Sequence, residues 1–297
     1  MVTNPAPSGL GRWINIPALL AVTFWGSTYV VIKLIMKENL SPLSLAALRV
    51  GFGAALLFGT LMVTEKDWGV ALKDLPVLAL LGLTGLAIFQ IFFTVSLKYI
   101  TASTSSVLVS ISPLIVAIVV ILTRVDVLRW RTVAGILVAF GGVALVAQRE
   151  ELSFGNEALV GDIFCLISAV AWGVYVAVQI PLLRRYSTIK VMAYAAGFGT
   201  IFILPFTAGD LMTQNWGSIS LPGWGLIVYY VVISGYVAMV LWSRGIRSWG
   251  PARTSAYSYL NPIFGIVSGM IFLGEAMVAV QVVGTLAVFV GLGLARR

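Results

Sequence analysis

In a mostly apolar sequence, tryptophan, tyrosine, serine and carboxamide side chains recur three or four residues apart. Side chains at this spacing share one face of an α-helix. The residues concerned are Trp25 and Tyr29; Ser106 and Ser110; Trp172, Tyr175 and Gln179; and Tyr257 and Asn261, with Gln90 in a further apolar stretch. Such faces either line a cavity that orients a small ligand or serve helix packing and interhelical hydrogen bonds.

Two prolines lie near the centres of apolar stretches that carry these residues. Pro113 and Pro262 each lack a backbone N–H, which frees the carbonyl four residues earlier, at Val109 and Ser258. The resulting bends are either harmless kinks or gating points at which a path opens and closes. In both interpretations, polar backbone lies beside the candidate cavity residues.

Arg49 is the one cation clearly inside an apolar stretch. It lies roughly six residues, or about 9 Å of helix, from the nearer end. Its guanidinium either snorkels to the surface or attracts the carboxylate of a bound molecule. The chain has no histidine, and no Asp or Glu lies near the middle of an apolar stretch, so we expect neither a metal nor a cofactor.

The composition indicates which elements position these side chains. The 297 residues are 60% hydrophobic and 10% charged, whereas soluble proteins average about 25% charged residues. A lipid solvent accounts for so little charge, because ten crossings of roughly 20 residues each would use about 200 residues. This composition excludes a nucleic-acid reader, a disulfide-stabilised secreted protein and a chain with a sizeable soluble catalytic domain.

Apolar runs and the breaks between them predict an all-α integral membrane protein with ten transmembrane helices. An even number of spans places both termini on one side, and the distribution of Lys and Arg indicates the cytoplasmic side. Fourteen of the nineteen basic residues then face the cytoplasm and four face outward. The predicted spans are 14–35, 43–63, 75–97, 102–122, 130–148, 159–182, 189–208, 222–243, 251–272 and 277–294.

The two halves of the chain resemble each other. Pro113 aligns with Pro262 at an offset of 149 residues, and Trp25 aligns with Trp172 at an offset of 147. Each half then contains five spans, and because five is odd the second half enters the membrane from the opposite face. We therefore expect two inverted five-helix repeats (5+5) around a shared cavity. The predicted divisions are a short cytoplasmic tail at 1–13, a first repeat at 14–148 and a second repeat at 159–295.

The end of each half carries a more specific pattern. The second half reads GPARTSAYSYLNPIFGIVSGMIFLGEAMVAVQVVGTLAVFVGLGL, with Leu273-Gly274-Glu275 before a glycine-punctuated last helix. The first half is similar, although Arg124-Val125-Asp126 stands where Leu-Gly-Glu is usual. These features resemble the EamA domain, and nearly the whole chain resembles the tandem EamA members of the drug/metabolite transporter superfamily, which are ten-helix exporters.

This resemblance implies a transporter and not an enzyme. Within the superfamily, the aromatic content resembles the bacterial amino-acid exporters, so we expect export of neutral or aromatic amino acids across the inner or plasma membrane by alternating access. Without a titratable group in mid-membrane, uniport or exchange is expected in place of proton antiport. The expected partners are a small-molecule substrate and the lipid bilayer, without nucleic acid, for a monomer or homodimer.

Three other functions remain as alternatives. A sugar-phosphate or drug carrier belongs to the same superfamily and fits the same resemblance. An intramembrane enzyme is disfavoured because the sequence has no HExxH or GxSxG motif and no Cys/His couple. A non-transporting membrane scaffold would give no reason for polar pairs at mid-depth.

Overall fold

The computed structural model describes residues 14–100, 102–124, 129–147, 156–264, 267 and 279–295, and the regular structure in these ranges is helical. The predicted tail at 1–13 and the Leu273-Gly274-Glu275 tripeptide lie outside the described residues. The helices are α1 (Ile16–Met36), α2 (Pro42–Thr64), α3 (Leu72–Tyr99), α4 (Ala102–Val109), α5 (Ser112–Thr123), α6 (Trp130–Ala147), α7 (Asn156–Val178), α8 (Ile180–Leu183), α9 (Thr188–Thr213), α10 (Leu221–Trp249), α11 (Pro251–Ser255) and α12 (Ala279–Ala295), with 3-10 turns at Trp216–Ser218 and Ala256–Leu260 and a helical turn at 261–264.

Within the described ranges, six helices are long and apolar enough to cross a membrane. They are α1, α2, α3, α9, α10, and the continuous stretch formed by α7 and α8. The chain is therefore an all-helical, multi-pass membrane protein, whereas the predicted count of ten spans is not confirmed. Predicted spans 102–122 and 251–272 fall short as single helices because the first is divided between α4 and α5, and the second begins as α11 followed by a 3-10 turn.

The backbone stays hydrogen-bonded at both proline-containing breaks. Pro113 is the second residue of α5, and the hydroxyl of Ser112 donates to the carbonyl of Val109, which the proline leaves without its helical donor. Before the second proline, the N–H of Asn261 donates to the carbonyl of Ser258 in 3-10 geometry. Irregular backbone at membrane depth is tolerated where its polar groups are satisfied in this way.

Several helices begin at matching positions in the two halves. Ser41 and Ser187 precede α2 and α9, and each side-chain oxygen accepts a hydrogen bond from a backbone N–H three residues further along. These two serines are 146 residues apart in the sequence, as are Asp74, at the start of the α-helical part of α3, and Ser220, which precedes α10. The repeat therefore extends to the helix starts.

Two long helices change their hydrogen-bond register near their middles. Gly82–Ile88 in α3 and Tyr229–Val237 in α10 are π-helical. The two segments start 147 residues apart, which is the offset that aligns Trp25 with Trp172. A π-helical turn is rare and is found frequently at functional sites. It alters which side chains and carbonyls face a neighbouring helix.

Glycines bring α6 and α12 into close contact. A Cβ atom added to Gly142 would lie 2.6 Å from the carbonyl oxygen of Gly284, and one added to Gly291 would lie 2.6 Å from that of Gly135. No side chain fits at these positions without moving backbone. Gly142 and Gly291 therefore serve close packing within one chain.

Candidate functional site

A cavity lies between the two halves, near the middle of the longest helices. Its walls come from α1, α2, α3, α4, α7, α9 and α10 and from the segment 256–264. The lining residues are Trp25, Thr28, Tyr29, Arg49, Val50, Gly53, Leu57, Gly85, Leu86, Phe89, Gln90, Phe93, Val109, Trp172, Ala196, Gly235, Tyr236, Met239, Ser258 and Asn261. Both π-helical segments contribute to these walls.

The cavity is small in this conformation. Its volume is about 60 Å³, which is room for several water molecules. Pockets that hold organic ligands usually measure roughly 300–1,000 Å³. A bound metabolite would therefore require the surrounding helices to move apart.

One wall of the cavity is a cluster of aromatic rings centred on Trp172. Its ring lies 5.2 Å from that of Trp25 in an edge-to-face arrangement, 4.8 Å from that of Phe89, and 5.0 Å from that of Tyr175. Trp242 adds a further ring 5.0 Å from Trp25. Ring pairs at these distances contribute beyond the area they bury, so this wall is stiff and apolar.

The wall around Arg49, in contrast, is polar and carries a positive charge. Its Nη2 atom donates to the backbone carbonyl of Ser234 at 3.0 Å, and the Nε1 atom of Trp25 donates to the same carbonyl at 2.9 Å. The guanidinium carbon lies 4.6 Å from the centre of the Tyr230 ring. Among the described residues, no carboxylate forms an ion pair with Arg49.

A short chain of hydrogen bonds supports the same wall. The Nε2 atom of Gln90 donates to the hydroxyl of Tyr230, and the hydroxyl of Thr94 donates to the backbone carbonyl of Gln90. Tyr230 is fully buried, and Gln90 borders the cavity. This chain connects α3 of the first half to α10 of the second.

Asn261 brings a second kind of polar group to the cavity. Its side chain borders the cavity and is 5% exposed, and its Oδ1 atom accepts no hydrogen bond from the described residues. A buried acceptor without a donor costs about 1–3 kcal/mol. Within the part of the chain that the structure describes, the cavity region thus holds a cation without a carboxylate partner and an acceptor without a donor.

The structure brings six of the predicted side chains to the cavity: Trp25, Tyr29, Arg49, Gln90, Trp172 and Asn261. The prolines and the other predicted residues are not among its lining residues. Ser110 donates to the carbonyl of Ser106 at 2.7 Å, and the Tyr257 hydroxyl accepts from the N–H of Asn15 at 2.9 Å. These hydrogen bonds serve the helices themselves and the packing between them.

Tyr175 belongs to the aromatic cluster, but neither Tyr175 nor Gln179 is among the residues that line the cavity. The hydroxyl of Tyr175 donates to the sulfur of Met192 at 3.1 Å, and Gln179 donates to the carbonyl of Tyr175 at 3.4 Å. The Oε1 atom of Gln179 is buried without a partner among the described residues. Helical spacing predicts that both residues share a face with Trp172. It does not predict where along that face the cavity ends.

Several site residues were not among those selected from the sequence. Phe89, Tyr236 and Met239 line the cavity, and Tyr230 and Ser234 hold the partly buried Arg49. A signal for the last two was present, because they are four residues apart in one predicted span, as are the selected pairs. The π-helical register that aims the Ser234 carbonyl at this cation leaves no comparable pattern.

The residues described by the structure supply no acidic group to the cavity. Its lining includes neither Asp nor Glu, and the described ranges contain no group of His, Cys, Asp or Glu that could hold a metal ion. The chemistry available at these walls is therefore cation attraction of an anion, neutral hydrogen bonding and ring stacking.

A helical, multi-pass membrane protein with a cavity between two similar halves belongs to the class of membrane carriers built from tandem repeats. The sequence matches the EamA-like transporter family twice, over residues 12–148 and 159–297. The chain therefore belongs to the EamA-like transporter family of the drug/metabolite transporter superfamily, as the sequence resemblance predicts.

Curated relatives span the same length as this chain. An uncharacterized transporter of Archaeoglobus fulgidus is 28% identical over 286 residues, which is 96% of this chain and 99% of the relative. A probable terminal-alkyne amino-acid exporter of Streptantibioticus cattleyicolor is 28% identical over 94% of this chain and 92% of its own. A solved crystal structure aligns over 95% of both chains with a TM-score of 0.74 at 18% identity, which supports the fold.

Proposed function

We propose that this transporter exports neutral or aromatic amino acids across the cytoplasmic membrane. The observation that carries the proposal is Arg49, a permanent cation that borders the cavity and has no carboxylate partner among the described residues. A substrate carboxylate would supply the missing charge, and the Oδ1 atom of Asn261 would accept from its ammonium group. The aromatic wall around Trp172 would receive an apolar or aromatic side chain. The name of the Streptantibioticus relative agrees with this substrate class.

The proposed transport cycle is alternating access between two inverted five-helix repeats, at 14–148 and 159–295, with both termini in the cytoplasm. Matching helix starts and matching π-helical segments in the two halves support a shared architecture. In such an arrangement, rocking of one half against the other exposes the same cavity to each face in turn. The small volume of the cavity fits a conformation in which the two halves are closed around it.

A sugar-phosphate carrier would need more positive charge at the site. Phosphate groups are bound in proteins by clusters of Arg and Lys or by helix N-termini. Within the described lining, Arg49 is the one cation. This charge count favours a substrate with a single negative group that is balanced by its own ammonium.

The proposal is tested by counterflow of radiolabelled L-phenylalanine, L-leucine and L-threonine in sealed proteoliposomes. Wild type is expected to accumulate at least one label, and Arg49→Gln is expected to raise the KM about tenfold or more, the cost of losing a charge-assisted hydrogen bond. Arg131→Gln is the matched control, because Arg131 is exposed and stacks on Trp130 instead of facing the cavity.

Two outcomes would overturn the proposal. Wild-type vesicles that accumulate none of the labels would exclude this substrate class. Equal losses in Arg49→Gln and Arg131→Gln would show that the effect follows net charge and not the cavity. Chemical conversion of a label by detergent-solubilised protein, without any sealed compartment, would favour the enzyme alternative.

A further inference from the structure

Arg49 is held from two directions by the π-helical segment of α10. The Tyr230 ring faces the guanidinium carbon at 4.6 Å, and the Ser234 carbonyl accepts from Nη2 at 3.0 Å. Gly235 lies beside the same side chain, and a Cβ atom added there would be in ordinary contact with Cγ of Arg49 at 3.4 Å. Tyr230 and Ser234 therefore set the position of a side chain that otherwise has many rotamers.

The two supports leave much of the hydrogen-bonding capacity of the guanidinium free. A guanidinium has five N–H donors, and the Ser234 carbonyl takes one of them. A ring face stabilises the cation by its quadrupole and supplies no carboxylate. The orientation that results is suited to a second, planar acceptor such as a carboxylate, which binds arginine with two parallel hydrogen bonds.

The corresponding position in the other half has no such cation. At offsets of 146 and 147 residues, Arg49 corresponds to Ala195 and Ala196, neither of which is charged. There the π-helical segment of α3 packs directly on α9, and a Cβ atom added to Gly82 would lie 2.5 Å from the carbonyl oxygen of Ala195. One π-helical segment is therefore packed tightly, and the other holds a charged side chain.

We propose that Tyr230 is a positioning residue that makes the site selective for carboxylates over their uncharged amides. Tyr230 is fully buried and is not among the residues that line the cavity, so it acts through Arg49. Its ring face lies against the guanidinium of Arg49, which borders the cavity with its remaining N–H groups, and its hydroxyl accepts a hydrogen bond from Gln90. This inference rests on the proposed function for its substrate and adds the residue that sets the selectivity.

The test compares Tyr230→Phe, which keeps the ring face, with Tyr230→Leu, which removes it. Binding of 3-phenylpropionate and of 3-phenylpropanamide to purified protein is measured by intrinsic tryptophan fluorescence, since Trp25 shares the Ser234 carbonyl with Arg49. Wild type and Tyr230→Phe are expected to prefer the carboxylate. In Tyr230→Leu that preference is expected to fall about tenfold, as loss of a partly buried cation–π contact predicts.

Tyr229→Leu is the matched control, because Tyr229 lies in the same π-helical segment and its hydroxyl pairs with Ser27. It is expected to keep the wild-type preference. Equal preference in wild type and Tyr230→Leu would overturn the inference, as would an equal loss in Tyr229→Leu. If Tyr230→Leu does not fold, Tyr230→Phe is measured alone. Loss of the carboxylate preference in Tyr230→Phe, which keeps the ring, would show that the ring face does not set this preference.

The binding measurement separates this inference from the proposed function. A carboxylate preference that depends on the Tyr230 ring, in a protein that transports none of the amino acids, would uphold the positioning role and overturn the substrate. If the protein transports amino acids and its carboxylate preference is unchanged in Tyr230→Leu, the proposed substrate is upheld and the positioning role of Tyr230 is overturned.

Discussion

At the scale of single residues, the cavity contains polar groups that lack some of their hydrogen-bond or ion-pair partners among the described residues. Arg49 has a carbonyl and a ring face but no carboxylate among the described residues, and the Oδ1 atom of Asn261 has no donor there. Such groups destabilise the folded protein and are retained where a ligand or water completes them. Stability and transport should therefore respond in opposite directions to their removal.

Asn261→Leu tests this opposition. Leucine has a similar volume and no acceptor, so the free energy of unfolding is expected to rise by about 1 kcal/mol while amino-acid transport falls. Thermal unfolding of purified protein and proteoliposome uptake measure the two effects. Asn215→Leu, at an exposed position, is the control and should change neither. A less stable Asn261→Leu protein would show that the amide has a partner which the structure does not display.

At the scale of elements, the two π-helical segments determine how the halves meet. The segment in α3 lies so close to α9 that only glycine fits at position 82, whereas the segment in α10 leaves room for Arg49 beside Gly235. Residues at helix ends and in loops add contacts between the halves: Asp74 pairs with Arg185 at 2.7 Å, for example, and Glu38 accepts hydrogen bonds from the N–H and hydroxyl of Ser220.

Gly82→Ala is expected to destabilise the protein by about 1–3 kcal/mol, because the new methyl group meets backbone that must shift. Gly51→Ala is the matched control, since an added Cβ atom in α2 would meet nothing within 4 Å and alanine favours a helix by up to about 1 kcal/mol. Thermal unfolding measures both. Equal stability of the two variants would show that α3 and α9 are not in close contact at Gly82.

The contact between Glu38 and Ser220 should depend on pH. The backbone N–H and hydroxyl of Ser220 stabilise the carboxylate and lower the pKa of Glu38. A lowered pKa in the folded protein means that the stabilisation is present above the ordinary glutamate pKa of about 4.3 and is lost as the pH falls through the lower folded value.

The measurement is the difference in melting temperature between wild type and Glu38→Gln across that pH range. Wild type is expected to be the more stable protein at neutral pH, and the difference should shrink as the medium becomes acidic. A melting-temperature difference that is the same at every pH would show that the negative charge of Glu38 contributes nothing to stability.

At the scale of the whole molecule, two similar halves enclose one cavity with an unequal distribution of charge. Within the described residues, the lining has one cation and no carboxylate. Transporters that move protons usually need a titratable side chain at such a place. The substrate gradient alone should therefore set the direction of transport.

Uptake by proteoliposomes is expected to be the same with and without a pH gradient, and a protonophore should leave its rate unchanged. A pH-sensitive dye inside the vesicles should report no proton movement during amino-acid flux. Proton flux in strict proportion to substrate flux would contradict this expectation. It would also direct attention to groups outside the described residues.

The composition was sufficient to predict a helical membrane protein, since 60% hydrophobic residues with 10% charge have no other stable solvent than lipid. The repeat was visible in the alignment of Trp25 with Trp172, and family membership followed from the motifs at the ends of the two halves. Helix continuity was harder to predict. Apolar periodicity does not distinguish a continuous span from the division between α4 and α5, because both halves of a broken helix are equally apolar.

Residue type and helical spacing predicted which faces are polar, because both depend only on neighbours in the chain. Tertiary structure alone decided which of those faces meet: Trp25, Arg49 and Asn261 border one cavity, whereas Tyr175 and Gln179 are not among its lining residues. For Arg49, the physical reason is the π-helical register of α10, whose Ser234 carbonyl and Tyr230 ring contact the guanidinium. That register depends on packing between helices distant in sequence, so no local pattern records it.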